Sequence, residues 1–170
     1  MDISNFTESA KAILTNSSTL AIQNQNKEIT DYHFLMIMLE RKENFIYQVL
    51  VELGIDVSRV CDLIGDELAK LPVNEDNSAL KFSIHAEKTL EESEKIAKSM
   101  KESFIAPEHL LLAMLEAGPE TLQRIFKLFS ITKHKIIGAL KGFGPGLNSE
   151  DEEENRDPFK VLSKYGEVKL

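Results

Sequence analysis

The sequence contains two stretches that align with each other without a gap, and this repetition constrains the fold more than any other feature. Residues 30–40 read Thr-Asp-Tyr-His-Phe-Leu-Met-Ile-Met-Leu-Glu, and residues 106–116 read Ala-Pro-Glu-His-Leu-Leu-Leu-Ala-Met-Leu-Glu. Equivalent positions differ by 76 in number, as in His33 and His109. A polar start followed by a dense apolar block is typical of a helix that begins at the surface and is otherwise buried. Two such helices indicate a duplicated unit.

The same offset runs through the flanking helical patterns. Five residues on one face of the first predicted helix recur on the fifth. They are Phe6, Ala10, Leu14, Ser17 and Ala21, which recur as Phe82, Ala86, Leu90, Ser93 and Ala97. Apolar spacing predicts helices at about 5–25, 30–41, 43–53 and 57–70, then from 82, from 107, and at about 119–129 and 132–141. We therefore expect an all-α domain of eight helices, in two four-helix repeats related by a pseudo-twofold axis.

Capping residues mark several of the predicted helix ends. Thr30, Asp56 and Thr132 are predicted N-caps, because their side-chain oxygens can accept hydrogen bonds from backbone N–H groups one turn on. Gly54 is the predicted C′ residue of the third helix. Pro107 falls at the first helical position, where its missing N–H costs nothing. Matching caps at equivalent places strengthen the interpretation as a duplication.

These patterns divide the chain into one domain and a tail. Repeat one is predicted at 6–72 and repeat two at 82–141, joined by a short polar linker at 73–79, so that the domain covers 1–141. Residues 142–170 are predicted to be a flexible acidic linker, since the glycines at 142–146 cannot propagate a helix and the acidic run at 150–154 repels itself.

Composition argues against several functional classes. A chain of 170 residues buries roughly 70 % of its unfolded surface, so it can fold without a disulfide or a metal. The single cysteine suits a reducing compartment, and we expect a cytoplasmic protein. No apolar run reaches the roughly 18 residues of a membrane helix. The net charge of −8, without a basic stripe, disfavours nucleic acid and anionic membranes as partners.

The sequence offers no catalytic constellation. It lacks a phosphate loop, and the glycines at 142, 144 and 146 follow a helix rather than the strand that a dinucleotide loop requires. Cys61, on an inward helix face, is interpreted as an inert buried thiol rather than a nucleophile. His33 and His109 either pack and bond to a nearby carbonyl or carboxylate, or form a two-histidine metal site that lacks further ligands at suitable spacing. We expect no catalytic site, metal or cofactor in this chain.

Residues 104–115, which read Phe-Ile-Ala-Pro-Glu-His-Leu-Leu-Leu-Ala-Met-Leu, resemble the N-terminal domain that precedes the AAA+ rings of the Hsp100/Clp family. The resemblance covers 1–141 as a double repeat. The Leu-Pro junction at 71–72 and the Leu-Ser-Lys-Tyr-Gly segment at 162–166 look most like the ClpB disaggregase branch, although the sequence departs from it at Val168 and Lys169. The resemblance implies that the chain is an N-domain with its linker and that this domain is a monomer when isolated. It also implies that the parent protein is a homo-hexameric ATPase that uses ATP and Mg²⁺.

The resemblance also implies a role and a site. Family members bind exposed apolar segments of unfolded or aggregated proteins and pass them to the ring pore. The alternative is an N-domain that docks an adaptor protein, as in the ClpA- and ClpC-like unfoldases of the Clp protease. The implied groove lies near the repeat junction, with Leu90 and Ile96 as its apolar surface on the fifth helix. Its remaining residues are Thr7, Glu102, Glu108 and His109. The structural alternative is that Thr7 caps a helix, Glu108 favours a helix N-terminus and Leu90 is core.

Overall fold

Residues 3–143 are described by the computed structural model, and they form eight α-helices and two very short strands. The helices of the first half are α1 Glu8–Gln23, α2 Asp31–Leu39, α3 Phe45–Glu52 and α4 Val57–Ala69. Those of the second half are α5 Ile84–Ser99, α6 Pro107–Ala117, α7 Glu120–Leu128 and α8 Lys133–Gly142. The strands are β1 Glu28–Ile29 and β2 Lys81–Phe82. This confirms the predicted all-α fold of eight helices, while most of the predicted linker lies outside the described residues.

The helix ends follow the predicted capping chemistry. The hydroxyls of Thr30 and Thr132 accept from backbone N–H groups two and three residues on, at 3.2 Å in each case. The Asp56 carboxylate accepts from the Arg59 N–H at the same distance. Gly54 ends α3 with φ of +77°, a conformation that only glycine adopts without strain. Local side-chain chemistry therefore sets these boundaries.

The first helix of each half begins later than its apolar pattern predicts. α1 starts at Glu8 rather than near residue 5, and α5 starts at Ile84 rather than at 82. Thr7 is consequently the N-cap of α1 rather than part of its first turn, and its hydroxyl accepts from the Ala10 N–H at 3.1 Å. Ser83 caps α5 in the same way. The residues before these caps are extended because they pair with the other half.

That pairing is reciprocal and joins the two repeats. Ile29 of β1 pairs in parallel with Phe82 of β2, and Phe6 forms an equivalent parallel bridge with Ile105. Each member of one pair is equivalent to a member of the other through the offset of 76. The segment before the first helix of each half thus pairs with the segment before the second helix of the other half. This reciprocal pairing is what the pseudo-twofold relation between the two repeats predicts.

The core runs through both halves. Helices α2 and α6 are buried on nearly every side, as their unbroken apolar sequences predict. Buried side chains from both repeats form one hydrophobic cluster rather than two. The rings of Phe34 and Phe82, from opposite halves, lie 6.1 Å apart at a tilted angle. Each repeat therefore completes its core only against the other.

Candidate binding groove

A cavity of about 370 Å³ opens where the first turn of α6 meets the helices of the first half. α1 forms one wall, and the end of α2, the loop after it and the start of α3 form the other. We call this cavity the junction groove. It is lined by Glu8, Ser9, Ala12, Ile13, Asn16, Ile37, Met38, Glu40, Arg41, Asn44, Phe45, Ile46, Pro107 and Glu108. Its size is within the range of pockets that hold small ligands or individual side chains.

The groove has an apolar floor and a polar rim. The floor consists of Ala12, Ile13, Ile37, Met38, Phe45, Ile46 and Pro107. The lining includes four charged residues, Glu8, Glu40, Arg41 and Glu108, of which Glu108 is fully buried. Glu8 pairs with Lys11 at 3.3 Å, and Arg41 pairs with Glu43 at 3.4 Å. The lining therefore favours a peptide ligand that places an apolar side chain in the groove and has neutral or positively charged residues on either side of it.

The predicted site residues are all buried, and one of the six lines the groove. Glu108 lies in the first turn of α6 and contributes to the groove wall. Leu90 and Ile96 are only 1 % and 7 % exposed, and neither lines the junction groove. The inward face of α5 that they occupy packs into the common core. Thr7 is fully buried and caps α1.

Glu102, Glu108 and His109 lie together behind the groove wall. Candidate ligand atoms of the three buried residues are all within 4.8 Å of one another. The Ala106 N–H donates to His109 Nδ1 at 2.8 Å, so the ring proton of a neutral imidazole is on Nε2. That nitrogen lies 3.2 Å from Glu102 Oε1. A metal bound at Nε2 would require the other tautomer, so the bond from the Ala106 N–H to Nδ1 argues against a metal site here.

The equivalent histidine of the first half has a similar local role. The Thr30 N–H donates to His33 Nδ1 at 2.9 Å, which completes a capping box at the start of α2. His33 Nε2 then donates to Asn26 Oδ1 at 2.8 Å. Burial lowers the pKa of His33 to about 4, so the ring is neutral near pH 7. Both imidazoles thus bond within their own halves, which argues against a two-histidine metal site across the pseudo-twofold.

Cys61 lies in a setting that disfavours reactivity. It is half-buried, and its Sγ is 3.9 Å from the Leu39 carbonyl oxygen. Burial, with a smaller contribution from the charge of Asp62, raises the pKa of the thiol. A raised pKa lowers the fraction of nucleophilic thiolate at neutral pH. This supports the interpretation of Cys61 as a structural residue.

Two four-helix repeats that pair reciprocally through their short strands and bridges define a duplicated all-α domain. The Clp repeat (R) N-terminal domain family matches residues 5–129, and the chain belongs to this family. It is 24 % identical over 170 residues to the chaperone protein ClpB of Clostridium tetani, covering 98 % of this chain and 20 % of that protein. The chain thus spans about a fifth of the length of the curated relatives that it matches.

The solved structures with the same fold include two N-terminal domains. The Hsp104 N-terminal domain from Candida albicans aligns with a TM-score of 0.69 and 25 % identity, covering 79 % of this chain and 88 % of that one. A complex of the ClpV N-domain with a VipB peptide aligns with a TM-score of 0.58 and 19 % identity, covering 96 % and 90 %. None of the helices in the described residues is long and apolar enough to cross a membrane.

Proposed function

We propose that this chain is the substrate-capturing N-terminal domain of a ClpB-like Hsp100 chaperone. It binds exposed apolar segments of unfolded or aggregated polypeptides in the junction groove and delivers them to an ATPase ring elsewhere in the protein. ATP, Mg²⁺, the hexameric assembly and disaggregation belong to that larger cytoplasmic protein. The observation that carries the proposal is the cavity at the repeat junction, whose floor is apolar.

The groove suits a weak and broadly specific interaction. Burying one large apolar side chain contributes about 1.5–3 kcal/mol, and two contribute roughly twice that before the costs of association and ordering. We therefore expect micromolar or weaker affinity for single segments. Glu8 and Glu40 on the rim disfavour segments that carry their own carboxylates. The proposed occupant is a short extended segment with one or two large apolar residues and neutral or basic neighbours.

A tryptophan scan on α1 tests the location. The chain has no tryptophan, so each variant also carries a unique fluorescent reporter. Ala12 is exposed and lines the groove, whereas Thr15 is exposed on the same helix outside the lining. The probe is a blocked decapeptide of glycine and serine with two leucines and one lysine. We expect Ala12→Trp to weaken its binding at least tenfold and Thr15→Trp to leave it unchanged.

NMR chemical shifts and peptide variants complete the test. Wild-type shifts should cluster at Ile13, Ile37 and Ile46, and a peptide with serine in place of both leucines should not bind. Replacing the lysine with aspartate should weaken binding through repulsion by the rim. Shifts that cluster away from the groove, or equal affinity in both tryptophan variants, would show that the site is wrong.

Adaptor docking is the second candidate, and one observation favours it. The ClpV N-domain, which has the same fold, has been solved with a VipB peptide, so an N-domain of this kind can hold a segment of one partner protein. An adaptor-docking domain would bind one folded protein tightly and ignore unrelated unfolded chains. The decapeptide and a reduced, carboxymethylated model protein distinguish the two functions, because only capture predicts binding to both.

A further inference from the structure

Duplication of the fold defines a position in the other half that is equivalent to the junction groove. Shifting the lining of the junction groove by 76 positions exchanges Glu108 for Tyr32 and exchanges Phe45 and Ile46 for Thr121 and Leu122. The equivalent space therefore lies between α5 and the corner of α6 and α7, next to the first turn of α2. The side chains present there differ from those of the junction groove in size and in bonding.

Tyr32 crosses this equivalent space. Its side chain is only 8 % exposed, and its hydroxyl lies near the Thr121 side chain and the Leu122 backbone at the start of α7. These are the counterparts of two residues that form the junction-groove wall. An aromatic ring thus extends from the first turn of α2 toward α7, whereas the shorter Glu108 leaves the matching gap open.

Two further polar links hold the same region closed. The Thr89 hydroxyl donates to Asp31 Oδ2 at 2.5 Å and joins α5 to α2. The counterparts of this pair, Ile13 and Pro107, are groove-lining residues that can form no such bond. His85 Nδ1 lies 3.4 Å from the Ala117 carbonyl oxygen and links α5 to the end of α6.

The loops at the two corners also differ in length. Five residues, 40–44, separate α2 from α3, and three of them line the junction groove. Only residues 118 and 119 separate α6 from α7. The Gly118 backbone lies against α6, since a Cβ at that position would come within 2.6 Å of the Met114 carbonyl oxygen. The second corner is therefore tighter than the first.

We propose that Tyr32 plugs the second groove, so that the duplicated domain presents one binding groove and takes one segment per chain. The part of this inference that concerns bound segments rests on the proposed function, but the plug itself does not. Removing the ring opens a second apolar groove lined by Leu122 and Met114. With the second groove closed, the duplicated domain has one binding site rather than two.

Xenon under pressure tests the plug without any peptide, because xenon enters small apolar cavities. In the wild type we expect xenon to shift the methyl signals of Ile13 and Ile46 and not that of Leu122. In Tyr32→Ala we expect a second set of shifts at Leu122 and Met114. Tyr32→Phe keeps the ring and serves as the matched control, with wild-type xenon shifts. Tyr32→Leu replaces Tyr32→Ala if the alanine variant does not fold.

The glycine-serine decapeptide with two leucines and one lysine then measures stoichiometry by calorimetry. We expect one peptide per wild-type chain, two per Tyr32→Ala chain, and one per Ala12→Trp/Tyr32→Ala chain through the second groove. Xenon shifts at Leu122 in the wild type, or none there in a folded Tyr32→Ala or Tyr32→Leu variant, would overturn the plug. A wild type that binds no peptide while Tyr32→Ala gains the second xenon site would refute the proposed function alone.

Discussion

His33 makes the stability of the domain sensitive to acid. The ring is fully buried, its Nδ1 accepts from the Thr30 N–H, and burial lowers its pKa from 6.5 to about 4. The folded state therefore binds fewer protons than the unfolded state at pH values between these two pKa values. Linkage then requires stability to be complete above pH 6.5 and to be lost progressively as the pH falls toward 4.

The size of this effect follows from the shift. One pKa unit corresponds to 1.36 kcal/mol, so lowering the pH from about 7 to about 4.5 removes roughly 2 kcal/mol of stability through this one residue. Domains of this kind have total unfolding free energies of about 5–15 kcal/mol. The loss is therefore large enough to be measured by urea unfolding at a series of pH values.

His33→Gln isolates the contribution. Glutamine at the third helical position can still complete the capping box with the Thr30 N–H but does not titrate. We expect the variant to be about 1–2 kcal/mol less stable near pH 7, because the bond to Asn26 is lost, and to lose roughly 2 kcal/mol less than the wild type on acidification. His134→Gln, at an exposed position on α8, controls for the loss of one histidine. Equal acid losses in the wild type and His33→Gln would refute the reasoning.

Two further predictions concern the core. Burial raises the pKa of the Asp31 carboxyl above 3.8. The contribution of Asp31 to the stability of the fold therefore falls as the pH rises through 3.8 toward the raised pKa. Asp31→Asn should consequently unfold at a higher temperature than the wild type at neutral pH but not at about pH 3. Leu35→Ala and Leu111→Ala should each lower the free energy of unfolding, measured in urea, by about 2–5 kcal/mol. Each variant should unfold in one transition, because the two repeats share one core. Leu128→Ala, at an exposed residue, is the control and should cost less than about 0.5 kcal/mol. Separate transitions for the halves would contradict the shared core.

The features that sequence predicted well are those set by local chemistry. The caps at Thr30, Asp56 and Thr132 each bond to a backbone N–H two or three residues on, and the structure has all three. Each helix of the second repeat likewise has its counterpart in the first. Apolar periodicity does not predict the paired segments around Phe6 and Ile29, because strands of one or two residues are too short to show a period. Their partners lie in the other repeat, so only the assembled fold defines them.

The candidate site was harder to predict because apolar spacing identifies an inward face but not what that face meets. Leu90 and Ile96 are inward-facing residues of α5, and they meet the core rather than a groove. Ile37 and Ile46 have the same kind of spacing in the first half but lie beside the gap at Glu108. The close approach of Glu102 to His109, seven residues apart around a helix start, likewise depends on the loop before α6.

A duplicated fold begins with two equal sites, and small local differences decide whether both persist. The backbone of each half places a second-position side chain of a buried helix against the corner of the opposite half. In one half that side chain is Glu108, whose carboxylate joins the cluster with Glu102 and His109 and leaves the corner open. In the other it is Tyr32, whose larger side chain is 8 % exposed and approaches Thr121 across the corner. A symmetric scaffold therefore gives one groove, because the asymmetry lies in a few side chains and one loop rather than in the fold.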